Sequence, residues 1–514
     1  MKNLLIIPLI LVLASPVWAA EYTVCASGCD HTMIQAAFDG HDLSGDDMIL
    51  VSAGTYHEKV IWGSNDLGTA GHPVNLVGIG QVIIDGDGVR DYGIDVRYGN
   101  YIRIYGIEVT DTTDDCIVGF FDYFTGANID GAIFDNIYGH HCGGSGLGMA
   151  TWYRSGYIKG IEITNSRFEY NGAAGIGISG HVDGVAITGT ICDYNGALEA
   201  TGVMAFGART KHVTTGWTSD GGGIYHRVVT LDNADYRTVY RAMNTTDGQD
   251  LAENTATPST PAAGEFGSAT AAPWTLWIHL PADADPEGKD IMYAFTKCTN
   301  ITITDSITSN QQRPASAEGH GLMADDMTDN LTAIRHKSFL NAGSNYTLNA
   351  ATNCSLINVV GYDAVNGDGG WFGPYSHDNT VYNGTFADNT GAGWYWFVPN
   401  DGNTVINSVM VDNGTYGQAS NGTPTNYTSH HNATYGNVSG HTSNITDVGP
   451  VTTDPLLDSQ GRPALNSPVM NAGTDVGLSF WGSAPEIGAY EIGGYPIKIN
   501  NLPYTMPIWR MGVQ

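Results

Sequence analysis

Basic side chains are scarce in this chain of 514 residues. There are 21 Lys and Arg against 52 Asp and Glu, so the formal net charge is −31, and only 14% of residues are charged. A surface this acidic repels nucleic acid and anionic membranes, and we expect neither as a partner. It would also repel a polyanionic polysaccharide unless calcium or a local basic patch intervened. Because the apolar fraction is an ordinary 42%, the composition does not indicate a disordered chain.

Long hydrophobic runs are missing after the first twenty residues. The one such run covers residues 4–13, follows Lys2 and precedes Val17-Trp18-Ala19. This pattern predicts a secretory signal peptide, residues 1–19, with cleavage after Ala19. No later stretch is long and apolar enough to cross a membrane. We therefore expect an exported, soluble protein, either secreted or periplasmic.

Cysteine is also scarce, with seven residues in the chain. Cys25 and Cys29 are four residues apart, and in an exported chain this spacing predicts a disulfide that closes a small loop. A metal-binding pair is less favoured, because no second close pair of cysteines follows. The other five are scattered along the repeat and are predicted to be free and buried: Cys116, Cys142, Cys192, Cys298 and Cys354.

What the chain does contain is 67 Gly and a repeat of about 24 residues. Ile163 returns as Ile187, and Asn171 returns as Asn195. The Asn that follows a short apolar strand recurs further along, at Asn341, Asn366, Asn389 and Asn413. Each repeat has room for about three strands of 3–5 residues and no room for a helix. The pattern favours a parallel β-helix with turns stacked ~4.8 Å apart over a β-sandwich, whose turns do not recur at one interval for so long.

The N-terminal segment carries a family resemblance. Residues 33–38 are predicted to form a short amphipathic helix, with Thr32 as its cap, that covers the open end of the coil. Together with the Gly-Asp before the next strand and the turn at residues 53–56, this helix resembles the N-terminal segment of pectate-lyase-like right-handed β-helix proteins. Residues 92–206 and 291–411 resemble that superfamily's stacked turns. The resemblance implies an all-β, right-handed parallel β-helix and identifies no specific enzyme family.

The repeat is interrupted after Arg209 and resumes near Ile291. Within the interruption Trp274, Leu276 and Ile278 alternate as in a strand, so we predict a small inserted β-domain or large loop. The predicted divisions are the signal peptide at 1–19, the cap and first part of the β-helix at 20–209, the insertion at 210–290, and the second part with the closing segment at 291–514.

A shallow groove is predicted on one outer face of the coil. In the strand near residue 176, Ile176 and Ile178 should point inward, which leaves Gly177 and Ser179 outward. In the resembled superfamily such a face binds extended polysaccharide, and sugar rings stack on aromatic side chains. The residues predicted to bind substrate are Trp152, Tyr153, Phe372 and Tyr375, whereas Trp371, Trp394 and Trp396 are predicted to pack inward.

The predicted chemistry centres on Gly319-His320-Gly321, which is followed by Asp325-Asp326. Two adjacent carboxylates near a His can hold different protonation states, which acid–base cleavage of a glycosidic bond requires. A basic residue on a neighbouring turn could serve β-elimination instead. The predicted catalytic set is His181, Arg209, Lys297, His320, Asp325 and Asp326. In the alternative, the Asp residues only accept hydrogen bonds from turn amides, and the search moves to Asp114, Asp115 and His140.

These observations predict an exported carbohydrate-active enzyme, a polysaccharide lyase or a glycoside hydrolase, with a polysaccharide as its partner. The catalytic motifs of polygalacturonase-like and pectate-lyase-like enzymes do not occur here in their usual order. That departure and the scarcity of Lys and Arg favour the alternative, a non-catalytic adhesin, fibre or carbohydrate-binding β-helix. No cofactor is required by the sequence, except that activity on an acidic substrate should need a divalent cation, for which Ca2+ is the candidate.

Overall fold

The computed structural model of the protein is a parallel β-solenoid with one α-helix in its described part. It describes residues 19–120, 129–151, 157–196, 201–206, 210–229, 241–244, 249–253, 257–268, 275–289, 291–294, 298–312, 319–325 and 328–491. Successive turns of the coil pair in parallel register, as Ile163 with Ile187 and Ile187 with Ile303. The predicted parallel β-helix is confirmed. The predicted signal peptide lies outside the described residues, apart from Ala19, and stays a prediction.

The solenoid has three faces. Each turn of the chain passes through them in one order, and we call them A, B and C in that order. The first strands are Glu21–Val24, Met48–Tyr56, Val74–Asp85 and Ile102–Thr110. The last three of these are long enough to span faces A and B. Face A then contains Ile129–Asp130, Ile133–Asp135, Ile158–Thr164, Val182–Thr188, Cys298–Thr304, Thr328–Ile334, Ser355–Ile357, Thr380–Tyr382, Thr404–Ile406 and Thr428–His430. Face B contains Tyr138–His140, Arg167–Glu169, Ile191–Asp193, Ile307–Ser309, Lys337–Phe339, Val360–Tyr362, Thr385–Ala387, Val409–Val411 and Ala433–Tyr435. Face C contains Val60–Ile61, Ile94–Asp95, Ile117–Phe120, Leu147–Thr151, Ile176–Gly180, Thr201–Phe206, His320–Asp325, Tyr346–Leu348, Gly370–Phe372, Trp394–Trp396, Tyr416–Ser420 and Gly440–Ser443.

One continuous apolar core runs along the axis of the coil. Alternate side chains of each strand point inward, so Ile161 and Ile163 of face A and Phe168 of face B are at most 1% exposed. The faces meet at single residues with positive φ, such as Asn165 at 50° and Asp305 at 50° between faces A and B. Asn, Asp and Gly tolerate this left-handed conformation, which explains their frequency at the corners.

A ladder of buried asparagines lines the corner between faces B and C. Asn171 donates to Asn195 on the next turn (Nδ2–Oδ1 3.0 Å), and Asn389 donates to Asn413 in the same way (2.9 Å). The predicted stacking of Asn side chains is therefore correct for these positions. It is wrong for Asn366, which is exposed.

Another asparagine compensates in the turn of the coil that contains Asn366. The ladder position there is occupied by Ala364, which has no side-chain amide and only donates its backbone N–H to Asn389 Oδ1 (3.1 Å). The carboxamide of Asn345 fills the gap, because its Nδ2 donates to Asn389 Oδ1 (2.9 Å) and its Oδ1 accepts from Asn341 (2.8 Å). The ladder is thus continuous in hydrogen bonds although not in sequence position.

Replacing Asn413 by alanine should lower the free energy of unfolding by about 2–4 kcal/mol, because buried donors and acceptors would lose their partners. Asn413 is fully buried and makes four hydrogen bonds, to Asn389 (backbone N and Nδ2), Asn437 and Phe386. Chemical denaturation measures the change. Asn366→Ala is the matched control and should stay within about 0.5 kcal/mol of the parent protein. Equal effects of the two substitutions would contradict the ladder's role.

The predicted cap helix is present and spans Ile34–Gly40. Its N-cap residue is Met33, which makes no side-chain capping bond, so the predicted cap at Thr32 is wrong. The carboxylate of Glu58 does the capping instead, accepting from the backbone N–H groups of Ile34 and Gln35 (both 2.8 Å). A carboxylate distant in sequence can satisfy these first amides, and no residue near the helix indicates it.

The inserted segment forms a β-sheet with a hydrophobic core of its own, and its described strands pair antiparallel except for Gln249–Glu253 with Glu265–Ser268, which pair in parallel. Its strands are Thr210–Val213, Thr218–Gly221, Ile224–Val228, Arg241–Asn244, Gln249–Glu253, Glu265–Ser268, Thr275–His279 and Ile291–Ala294, with a 3-10 turn at Pro281–Asp283. Ile291–Ala294 pairs antiparallel with Thr210–Val213, so the solenoid resumes at Cys298 rather than at Ile291. The division of the chain into separable domains stays a prediction.

The cysteines differ in part from expectation. Cys25 and Cys29 form the predicted disulfide. Cys116 and Cys142, which we predicted to be free, also form a disulfide across neighbouring turns of the coil. Stacking brings residues 26 apart to a Cα–Cα distance of 5.5 Å, within the range that a disulfide needs. Cys192, Cys298 and Cys354 are free and buried, as predicted.

No helix of the described residues is long and apolar enough to cross a bilayer.

Candidate functional site

The outer side of face C carries the candidate site. Ile176 and Ile178 are fully buried, and the register aligns them with Leu322 and Ala324 two turns later. The side chains between them point outward, in a column that includes Gly177, Met204, Met323, Thr347, Trp371 and Tyr395. The sequence predicted this register for Gly177 and Met323, but it placed Trp371 inward. Glycine occupies the outward position in two of the earlier turns, at Gly148 and Gly177.

Three aromatic side chains follow in the later turns, and we call them the aromatic platform: Trp371, Tyr395 and Phe397. Trp371 and Phe397 meet at 5.2 Å with their rings nearly perpendicular (79°), and Tyr395 lies 4.4 Å from Phe397. Trp371 also makes a perpendicular contact with His320 (5.9 Å). Among the described rings, none is stacked flat on Trp371. A flat, half-exposed indole face of this kind can stack on a sugar ring.

A hydroxyl group lies beside the platform. Thr347 precedes Trp371 in the outward column, and its side chain is fully buried. In the part of the chain that the structure describes, its Oγ1 has no hydrogen-bond partner. Because protein atoms cover this hydroxyl, a ligand on the platform does not reach it, and the missing bond is a local cost to stability rather than a ligand contact.

Titratable side chains border the aromatic platform at one edge of face C. This is the edge where the chain arrives from face B. Across three successive turns, Ser344 donates its backbone N–H to His320 Nδ1 (3.0 Å), and Asp368 donates its backbone N–H to Ser344 Oγ (3.0 Å). Asp368 Oδ1 in turn accepts from the backbone N–H of Ala392 (2.6 Å). Because His320 Nδ1 is an acceptor, the neutral ring carries its hydrogen on Nε2 and can donate from there.

The carboxyl of Asp368 is the titratable group of most interest. Burial raises its pKa to about 6, although the hydrogen bond from Ala392 and the nearby His320 both act in the opposite direction. Burial also raises the pKa of Tyr395, and the charge of Asp368 adds to this effect. Asp368 can therefore hold or release a proton near neutral pH, at the border of the aromatic platform.

The structure separates two of the predicted catalytic residues. His320 and Asp325 are the first and last residues of one strand, so they lie about 16 Å apart at opposite edges of face C. Asp325 is 9% exposed, and its Oδ1 accepts from Asn349 Nδ2 (2.7 Å). The structure thus brings His320 together with Asp368 rather than with Asp325.

Several predicted site residues fall elsewhere. Phe372 is fully buried in the core against Trp394 and Trp396, so its predicted role in binding substrate is wrong. Tyr375 is half-buried at the corner after face C, with a φ of 62°. His181 lies at the corner between faces C and A. The predicted residues Trp152, Tyr153, Arg209, Lys297 and Asp326 lie outside the described residues.

The alternative catalytic residues Asp114, Asp115 and His140 do not form one site. Asp115 stands at the start of face C near its N-terminal end and accepts from the backbone N–H of Ser145 (2.5 Å). Burial raises its pKa to about 7, and the charge of Asp114 adds to this. His140 lies on face B, where its Nε2 pairs with Glu108 (3.1 Å). The coil therefore places His140 on a different face from Asp114 and Asp115.

The sequence prediction missed Asp368, Tyr395 and the outward direction of Trp371. A signal was present in the glycine that recurs at one register position near the start of several face C strands, as at Gly175, Gly321 and Gly369. Gly321 and Gly369 both leave no room for a Cβ against the backbone of the following turn. Aligning Gly369 with Gly321 places Trp371 in the outward position of Met323. Period-2 reasoning failed because the strand Gly370–Phe372 is too short to reveal its own phase.

Among the described residues, one group of side chains could hold a metal ion. It consists of His57, Asp85 and Asp87. Arg90 already pairs with Asp87 (2.5 Å), so its guanidinium competes with a cation for that carboxylate. The group is exposed and lies on the long early strands, away from the platform. It adds nothing to the candidate site.

Comparisons with known proteins report similarity of fold. No family model matches the chain, and no curated protein matches it in sequence. Among solved structures, pectate lyase Pel9A matches over 93% of this chain and 97% of its own, at 15% identity and a TM-score of 0.46. The GH136 lacto-N-biosidase from Eubacterium ramulus matches over 84% and 68%, at 10% identity and a TM-score of 0.40. The alginate lyase from Paenibacillus sp. str. FPU-7 matches over 81% and 96%, at 11% identity and a TM-score of 0.32. With TM-scores below 0.5 these similarities identify no specific family and say nothing of activity, so the solenoid assignment rests on the register described above.

Proposed function

We propose that this protein is a carbohydrate-active enzyme that binds a polysaccharide along face C and cleaves it beside Asp368. The observation that supports this most directly is the position of the aromatic platform next to His320 and Asp368. Trp371 offers a flat ring to a sugar, and His320 packs against this ring in a perpendicular contact. The carboxyl of Asp368, with a pKa of about 6, offers a proton at the same border.

The proposed role of Asp368 is general acid–base catalysis. A carboxyl group that is partly protonated near neutral pH can give a proton to a leaving glycosidic oxygen. His320 and Ser344 then act as positioning residues, because their hydrogen bonds connect the turns that carry the site. Export of the protein, predicted from residues 1–19, suits an enzyme that meets its polysaccharide outside the cytoplasm.

The proposal predicts cleavage of at least one polysaccharide in a panel of neutral and uronate-containing polymers, each tested with and without calcium. A reducing-sugar assay detects every cleavage, and ultraviolet absorbance of unsaturated ends distinguishes β-elimination from hydrolysis. Binding without cleavage would overturn the enzymatic part and leave a carbohydrate-binding β-helix. Neither binding nor cleavage on the whole panel would overturn the proposal.

A further inference from the structure

A second polar cleft lies on face A, around the corner from the candidate site. Its volume is about 480 Å³, and it begins at His181, the residue after the face C strand Ile176–Gly180. The other lining residues share one register position or the one after it on four successive turns: Asp183, Thr299, Asn300, Asp329, Asn330 and Asn353. Four turns spaced ~4.8 Å apart give the cleft a length of about 14 Å along the axis.

The side chains of the cleft are linked to one another along the axis. Asn330 Nδ2 donates to Asn300 Oδ1 (2.6 Å), and Asn300 Nδ2 donates to Asp183 Oδ1 (2.5 Å). Asn353 Nδ2 donates to Asp329 Oδ1 (2.9 Å). These bonds hold the carboxamides in place and use one of the two amide hydrogens of each. Within the described residues, the Oδ1 atoms of Asn330 and Asn353 accept no hydrogen bond. The cleft therefore presents a fixed row of donors and acceptors.

The composition of the cleft restricts what it can bind. Among the described residues, its lining contains two carboxylates and no Lys, Arg or apolar side chain, so this part of the cleft disfavours both anionic and apolar ligands. Asp183 and Asp329 stand on turns two apart, about 10 Å from each other, so they cannot share one metal ion. Carboxylates and carboxamides in a row suit the alternating donors and acceptors of sugar hydroxyl groups.

We infer that the face A cleft is a second, non-catalytic site for a neutral, hydroxyl-rich saccharide chain lying along the solenoid axis. The inference does not depend on the proposed function of face C, because the two sites share no residue. The positive φ of this corner does not by itself require asparagine. A saccharide ligand accounts for the row of carboxamides. The same corner position is occupied by Gly160 and Gly184 on the preceding turns, with φ of 64° and 74°.

Those glycines supply a mild substitution. Asn300→Gly and Asn330→Gly, made together, remove both carboxamides while the backbone keeps a positive φ that glycine adopts without strain. The matched control is Asn426→Gly, which removes a carboxamide at the same position outside the cleft, where it donates to Asp401 (2.9 Å). All variants are made with Trp371→Ala, so that the aromatic platform does not contribute to binding.

The probes are cellohexaose, mannohexaose and xylohexaose, titrated calorimetrically, and calcium chloride alone. We expect at least one hexasaccharide to bind the Trp371→Ala protein, with affinity lowered about tenfold or more by the double substitution and unchanged by Asn426→Gly. Absence of hexasaccharide binding to the Trp371→Ala protein would overturn the inference, as would unchanged affinity in the double variant. Calcium binding that disappears in the double variant would also overturn it, by making the cleft a cation site.

Single substitutions guard against misfolding. If the double glycine variant fails to melt cooperatively, Asn300→Gly and Asn330→Gly are made singly, so that each removes one carboxamide and puts no new charge beside Asp183. The expected result is a loss of hexasaccharide affinity with an unchanged circular dichroism spectrum. Retained affinity in both single variants counts against the inference. Failure of the face C proposal is read separately, from the polysaccharide panel with Trp371 intact.

Discussion

Asp368→Asn should reduce polysaccharide cleavage about 100-fold or more while leaving polysaccharide affinity nearly unchanged, because the amide cannot transfer the proton. Asparagine keeps an Oδ1 that can accept from the backbone N–H of Ala392. In the parent protein, cleavage should decline as the pH rises above about 6, since the acid form of Asp368 is lost there. The measurement is kcat and KM against pH for both proteins.

The stability of the same variant tests the environment of Asp368 independently of activity. A raised carboxyl pKa means that folding disfavours the charged form, so the contribution to stability is full at low pH and is lost as the pH rises through about 6. Asp368→Asn should therefore melt at a higher temperature than the parent at pH 8, and the difference should disappear near pH 4. A lower Tm at pH 8 would contradict the proposed burial of the charge.

Two other carboxylates make the activity test specific. Asp363→Asn is the matched control, since burial also raises the pKa of Asp363, which lies at the corner between faces B and C of the same turn. Its loss should leave turnover unchanged. Asp325→Asn tests the centre predicted from the sequence. A large loss with Asp325→Asn and none with Asp368→Asn would place the chemistry at the opposite edge of face C and overturn the assignment made here.

The architecture was predictable because each turn of the coil repeats the same physical constraints. Inward apolar side chains must recur at one interval if turns are to stack, and the return of Ile163 as Ile187 reports this directly. The corners need residues that accept a positive φ, which Asn and Gly supply. The exposed Asn366 misled the prediction, because its neighbour Ala364 holds the ladder position and a distant Asn345 replaces the missing carboxamide.

The candidate site was harder to predict because it depends on contacts between turns. Asp368 is far in sequence from His320, and Ser344 on the turn between them connects the two, donating its backbone N–H to His320 and accepting the backbone N–H of Asp368 at its hydroxyl. The adjacent acids Asp325-Asp326 looked more suitable in the sequence, yet the strand carries Asp325 away from His320 by its full length. The bond between Cys116 and Cys142 was missed for the same reason, since stacking rather than sequence spacing sets their distance.

Trp371→Ala should weaken polysaccharide binding by about 30- to 100-fold, corresponding to about 2–3 kcal/mol for an aromatic group at the centre of a binding surface. Trp371 is half-buried on the outer side of face C, with perpendicular contacts to His320 and Phe397 and no described ring stacked flat on it. The loss should appear in the dissociation constant and in KM. Affinity electrophoresis and calorimetry with the polysaccharide found in the panel measure it.

Tryptophans elsewhere in the chain separate binding from stability. Trp481 is 64% exposed and lies outside face C, so Trp481→Ala should leave polysaccharide affinity unchanged. Trp394 is fully buried in the core, and Trp394→Ala should cost about 3–5 kcal/mol of unfolding free energy. Trp371→Ala should instead keep a Tm near that of the parent protein. Equal affinity losses for Trp371→Ala and Trp481→Ala would show that sugars stack on exposed indoles on any face. Face C would then be ruled out as the specific binding site.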